Sequence, residues 1–198
     1  MKRTVTRLFD TRTQAESAVR DVEAMGIAAS DLSMVSGRSA GEATRSFAEH
    51  NDSAHDAGKG AAAGGVVGGS VGLLAGLGLL AIPGLGPVVA AGWLVSTAVG
   101  AVAGAAAGGA AGGLLGGLKD AGVGEDDAHV YAEGVRRGGT LVSARAEESD
   151  AARVEQLLDA QGGVDATKRG AVYREQGWTS FDETAALPDP AQTLSPPI

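Results

Sequence analysis

The chain has 198 residues, a net charge of −8 and a pI near 4.8, and an acidic chain repels phosphates instead of releasing their counterions, so nucleic-acid binding is disfavoured. It contains no cysteine, which excludes disulfides, thiolate zinc sites and thiol catalysis. The opening Met-Lys-Arg-Thr-Val-Thr-Arg-Leu-Phe-Asp has no apolar run before its first acidic residue, so no signal peptide is expected. The expected setting is cytoplasmic, or inner membrane facing the cytoplasm, and not secreted.

Thr4 to Phe9 is rich in β-formers and predicts a first strand. Asp10 can cap the helix that follows, in which Ala15, Ala18, Val19, Val22 and Met25 recur at helical spacing until Gly26 stops it. Leu32 to Val35 predicts a second short strand, and residues 36–59, polar and rich in Gly and Ser, read as a linker with one short helix around Ala43 to Glu49.

From Gly60 to Leu118 the chain runs 59 residues without a charged side chain. Small residues recur there every fourth position: Gly60, Gly64, Gly68, Gly72 and Gly76, then Gly92, Ser96, Gly100, Gly104, Gly108, Gly112 and Gly116. A step of four advances about 400° round an α-helix, so each series makes a stripe against which another backbone can pack closely. Pro83, Gly84, Gly86 and Pro87 separate the stripes and predict the turn of a helical hairpin.

Two environments suit such a hairpin. Each glycine costs roughly 1 kcal/mol relative to Ala in a water-exposed helix, whereas in a bilayer helix is the only local way to satisfy the backbone. Residues 61–82, at about 1.5 Å each, span roughly 33 Å, close to a hydrocarbon core of about 30 Å. Insertion is nevertheless marginal, because the strongly apolar residues contribute only about −0.3 to −0.6 kcal/mol apiece. A possible membrane segment and a glycine-packed element of a homo-oligomer both fit. Lys59 and Lys119 bracket the segment, consistent with both ends on the cytoplasmic side.

Past the hairpin, Glu125, Asp126 and Asp127 favour a helix N-terminus and Arg136 and Arg137 its C-terminus, with Gly138 and Gly139 as the stop. Thr140 to Ala146 is the clearest strand; Ser149 then caps a helix bearing Ala151, Val154, Leu157 and Leu158, and Gly162-Gly163 closes it before a last strand, Val164 to Lys168. Trp178 and Phe181 are expected to pack back onto the domain, and residues 183–198, polar and proline-rich, read as a disordered tail.

The order strand, helix, strand, insertion, helix, strand, helix, strand predicts an α+β fold. It suits a ferredoxin-like βαβ–αβαβ sandwich, a four-stranded sheet with helices on one face, interrupted by the Gly/Ala-rich helical hairpin. The domain would be discontinuous, residues 1–57 and 120–182, around a hairpin unit at 60–118.

Three stretches carry a family resemblance: Thr-Val-Thr-Arg-Leu-Phe-Asp-Thr-Arg-Thr-Gln-Ala-Glu-Ser-Ala-Val from Thr4, Leu-Ala-Ile-Pro-Gly-Leu-Gly-Pro-Val-Val-Ala-Ala-Gly at 80–92, and Asp-Ala-His-Val-Tyr-Ala-Glu-Gly-Val-Arg-Arg-Gly-Gly-Thr-Leu-Val at 127–142. Over roughly residues 3–182 the chain resembles bacterial general stress proteins of the heat-induced YflT type. The resemblance implies a stress-associated protein without established catalysis, with Tyr131, Glu133, Gly138 and Gly139 in its motif. Arg7 departs from the apolar residue expected in the first strand and is expected on the open side of the sheet.

Catalytic patterns fail. Gly68-Gly69-Ser70-Val71-Gly72 matches the nucleophile-elbow spacing, but it lies inside the glycine series, without the strand before it and the acid and base partners that the chemistry needs. His50 and His55, five apart, do not share a helical face, and with Asp52 and Asp56 they make at most a loose metal site in a solvated linker. Tyr131 reads as a core residue and His129 as a surface one. No phosphate-loop or dinucleotide fingerprint occurs, and Asn51-Asp52-Ser53 is a glycosylation sequon by pattern only. The chain therefore reads as no enzyme, with no catalytic residue, cofactor or metal. Two functions remain: a non-enzymatic general stress protein that associates with membrane or assembles through the hairpin, or a soluble oligomeric regulatory or small-ligand-binding module.

Overall fold

The computed structural model describes residues 1–37, 78–82, 85–94 and 113–182. Five strands, β1 (Lys2–Phe9), β2 (Leu32–Gly37), β3 (Gly78–Ile82), β4 (Gly86–Gly92) and β5 (Thr140–Glu147), form one antiparallel sheet in the order β1-β5-β2-β4-β3. The described helices are α1 (Arg12–Ala24), α2 (Leu114–Asp120), α3 (Glu125–Arg136), α4 (Glu148–Ala160) and α5 (Ala166–Glu175). The fold is α+β, as the sequence predicts.

Because strand side chains alternate, the sheet sorts its apolar residues into two cores. Val5, Phe9, Leu32, Met34, Val142 and Ala144 meet α1 and α4 on one face. Leu8, Val35, Val88, Ala90 and Leu141 meet α2, α3 and α5 on the other. Helices thus cover both faces, not the single face expected. The sandwiched β2 is buried along its whole length, and its two serines are hydrogen-bonded, Ser33 Oγ donating to Ala91 O at 2.9 Å and Ser36 Oγ standing 2.8 Å from Thr140 Oγ1.

Arg7 does not face an open side. It lies beneath α4, its Nε 2.6 Å from Asp159, and Arg3 makes the same contact with Glu155 one helical turn earlier. Burial alone would lower the Arg7 pKa, but Asp159 outweighs it and the value is raised. Sequence spacing explains the pair of contacts: residues four apart share a face on both a strand and a helix.

The helical hairpin is corrected where the structure describes it. Residues 78–82 and 86–92 are the strands β3 and β4, paired with each other, and β4 pairs with β2. Gly92 is therefore no member of a helical stripe; it ends β4 with φ +93°, and a Cβ there would collide with Leu32 O. Gly86 and Pro87 belong to β4 instead of a helix–helix turn. The β-branched pair Val88-Val89 and the open edge of β2 outweigh helix formation in a segment this short. Of the other stripe residues, Gly116 lies in α2, while Gly60, Gly64, Gly68, Gly72, Gly76, Ser96, Gly100, Gly104, Gly108, Gly112 and the turn residues Pro83 and Gly84 lie outside the described residues, as do the tail from 183, Ser70, His50, His55 and the sequon.

Three further expectations change. Thr11, not Asp10, caps α1 through Gln14 N, and Asp10 is taken by Arg169. The last strand shrinks to one bridge, Val164 to Leu8, because Asp165 caps a helix at once by accepting from Lys168 N at 2.8 Å. Ser149 sits inside α4, whose N-cap is Glu147.

Candidate functional site

Helix α3 begins with three acidic residues and ends with two arginines, an order that complements its macrodipole at both ends. Between them Glu133 is fully buried, and both arginines turn back to it: Arg136 Nε and Nη2 at 2.8 and 2.9 Å, Arg137 Nε at 2.7 Å. Arg137 also donates to Gln176 Oε1 at 2.6 Å and lies 4.2 Å from the Tyr173 ring centre. Arg169, itself buried, reaches Asp10 at 2.6 Å. Burial pushes the Tyr173 hydroxyl up to about 12, against the opposing influence of Arg169 and Arg137. This cluster fastens α3 to α5, since removing one partner of a buried ion pair typically costs about 3–5 kcal/mol.

The motif residues named from the sequence meet here in supporting roles. Tyr131 is buried, as expected, and its hydroxyl joins three elements: it donates to Thr6 O at 2.9 Å and accepts from Ala166 N at 3.2 Å. Gly138 takes φ +94° at the end of α3. At Gly139 a Cβ would lie 2.9 Å from Gly134 O.

A second location has a different character. A cleft of about 230 Å³ opens between Glu125, Asp126 and His129 of α3 and Arg174, Trp178 and the Thr179–Ser180 segment that follows α5. Glu125 is held by Lys119 at 3.1 Å. Asp126 and Arg174 make no ion pair among the described residues, although both line the cleft with opposite charge. His129 Nδ1 and Trp178 Nε1 are buried and have no hydrogen-bond partner among the described residues. His129 is thus only partly the surface residue expected, and Trp178 and Phe181 pack against the core.

Sequence reasoning missed Asp126 and Arg174 as a facing pair. Asp126 read as a helix-end charge, and no spacing rule relates it to a residue 48 positions later. Among the described residues no group of three or more His, Asp or Glu could hold a metal ion, and no helix is long and apolar enough to cross a membrane. No family of proteins, no curated protein and no solved structure matches this chain.

Proposed function

We propose that this chain is a non-enzymatic general stress-response protein whose α+β core carries Gly/Ala-rich flanks, residues 60–77 and 95–112, for association with further copies or with a membrane on its cytoplasmic side. The observation that carries this reading is the seating of the β3–β4 hairpin between those flanks. It is bonded to β2, fitted through Gly92 against Leu32, and held beyond β4 by Trp93, whose Nε1 donates to Asp31 O at 3.2 Å under the Arg145 guanidinium, 4.3 Å from the ring centre. A hairpin fixed in this way ties the uncharged flanks to the core, which suits an assembly element better than a free linker. The stress role rests on the family resemblance.

The finer fold reading is a ferredoxin-like core extended by β4 and β3. In its favour, β5 lies between β1 and β2, α1 and α4 share one face, and Val164 pairs beside Leu8 where a fourth strand would run. The competing function, a soluble oligomeric regulatory or small-ligand-binding module, is favoured by the cleft alone.

The test is fractionation with size analysis of the parent and a Gly68→Leu/Gly104→Leu variant. The parent is expected in carbonate-resistant membranes or in a discrete oligomer, and the variant as a smaller species with an unchanged circular dichroism spectrum. A parent that is monomeric and absent from membranes would overturn the proposal.

A further inference from the structure

The two outer edges of the sheet differ. At β1 the edge is occupied: Tyr131 and Arg7 both donate to Thr6 O, at 2.9 and 3.0 Å, and Leu8 forms a bridge with Val164. At the opposite edge β3 pairs with β4 from Gly78 to Ile82 in unbroken register, and among the described residues no strand lies on its far side. The strand reads Gly-Leu-Leu-Ala-Ile. It holds no charge and no proline, and its register has no bulge, so the devices that keep a natural edge from pairing with another chain are missing. β3 also lies inside the uncharged run 60–118 of a chain whose net charge is −8. Copies of an acidic chain repel one another. That repulsion is least where neither copy carries a charge.

We infer that β3 is the edge through which a second copy of this chain docks, antiparallel, β3 to β3, about a two-fold axis at Leu80. That centre is the one that pairs all five residues: Leu80 stands opposite the partner's Leu80, Leu79 opposite the partner's Ala81, and Gly78 opposite the partner's Ile82. A strand paired with itself in this way sets apolar residues against apolar residues, where a charged strand would set like charges face to face. The occupied β1 edge excludes head-to-tail stacking of β1 on β3, so the contact is isologous and closes. The doubled sheet ends in β1 on both sides, and growth stops at two copies. The inference goes beyond association through the flanks, since this contact lies in the core sheet and persists when the flanks are disabled.

The chain has no cysteine, so one introduced thiol reports its own neighbour. The experiment uses the full-length Gly68→Leu/Gly104→Leu chain, first in sedimentation equilibrium with β3 unaltered, where a dimer is expected. Leu79→Cys, Leu80→Cys or Ala81→Cys is then added and the thiols are oxidised with diamide. Residues directly opposite on antiparallel strands have Cα atoms about 4.5–5.5 Å apart, inside the ~4.4–6.8 Å that a disulfide spans. Diagonal neighbours, about 7–8 Å apart, lie outside it. Leu80→Cys is therefore expected to give covalent dimer by itself, and Leu79→Cys and Ala81→Cys only when the two chains are mixed. Ala152→Cys, exposed on α4, sets the background. A monomer in sedimentation overturns the inference and leaves assembly through the flanks standing, and a species larger than a dimer overturns it too. So does cross-linking at 80 no higher than at 152, and so does equal cross-linking at 79, 80 and 81 taken singly, which would mean parallel strands.

Discussion

The hydroxyl of Tyr131 donates to the carbonyl oxygen of Thr6 across 2.9 Å, which fastens α3 to the outer edge of β1. Among the described residues that edge is otherwise paired only at Leu8, whose N–H and C=O exchange hydrogen bonds with Val164 at 2.9 and 2.8 Å. Thr6, two residues earlier, presents its carbonyl to the same side. Arg7 Nη1 donates to that oxygen as well, at 3.0 Å. The sheet margin is thus sealed by one phenol, one guanidinium and one bridge in place of a full strand, which withdraws a backbone edge that could template pairing with another chain.

Tyr131→Phe removes the donor to Thr6 O and leaves Ala166 N–H without its acceptor. Leaving a buried backbone group unsatisfied costs roughly 1–3 kcal/mol, so the urea midpoint should fall by that amount with an unchanged m-value. A midpoint equal to the parent's would mean that the hydroxyl bonds contribute nothing and that the ring alone holds α3.

Alkaline pH should weaken the fold through the same residue. Burial pushes the hydroxyls of Tyr131 and Tyr173 up to about 12 from an ordinary 10.0. Between those values the unfolded chain has released protons that the folded chain retains, so stability is complete below about pH 10 and is lost as pH rises through about 12. Two pKa units correspond to about 2–3 kcal/mol for each tyrosine. Denaturant titrations at stepped pH should show that slope, and Tyr131→Phe or Tyr173→Phe should each flatten it. An equal slope in both variants would assign the alkaline loss to other groups.

Glycine substitutions at the α3–β5 corner should rank by what a Cβ meets. At Gly37 it would land on Val135 O, a backbone atom that cannot yield without moving α3, so Gly37→Ala is expected to cost about 3 kcal/mol or more. Gly138→Ala places a side chain at φ +94°, for roughly 1–2 kcal/mol. Gly139 has an ordinary φ, but its Cβ would sit 2.9 Å from Gly134 O and 3.2 Å from Phe9 O. Valine at either 138 or 139 should therefore destabilise, for different reasons, where the sequence alone points to a large effect at one of them. Urea unfolding of the three alanine variants tests the order, and a Gly37→Ala protein as stable as the parent would disprove the close approach of β2 and α3.

The elements that were legible from the sequence had both a period and a cap. Helix α1 has its apolar spacing and Gly26 with φ +94°, and α3 has acid at its start, arginine at its end and Gly138 beyond. β5 was legible through Thr140-Leu141-Val142 directly after the Gly138-Gly139 stop. β3 and β4 were not, because a period of four in glycine and alanine is strong enough to absorb Gly92 into a helical series that it does not join. Val88-Val89 was the signal available against helix there. α5 was hidden by Val164, whose single bridge resembles a strand start until the Asp165 side chain caps the next residues. The cleft was illegible because its two charges come from elements that only tertiary packing brings together.

Removing residues 58–120 and closing the gap with a flexible loop is the sharpest test of how the uncharged segment relates to the rest. Read as an insertion, it should be dispensable, since loop-closure entropy changes slowly with length. In the structure the deletion takes away β3, β4 and α2, and with them Val88, Ala90, Leu94, Leu114 and Leu118, which share one core with Leu8, Val35 and Tyr131. At about 1.5–3 kcal/mol for each large apolar side chain, Val88, Leu94, Leu114 and Leu118 alone account for on the order of 6–12 kcal/mol, comparable to the ~5–15 kcal/mol by which a domain is stable at all. β2 would also become an edge, with Val35 and Ser36 losing their β4 neighbours Ala90 and Val89. The deleted chain is therefore expected to be unfolded or aggregated, with a non-cooperative melt by circular dichroism and a void-volume peak on size exclusion. A soluble monomer that melts cooperatively would show that β1, β2, β5 and their helices form a complete core without the hairpin.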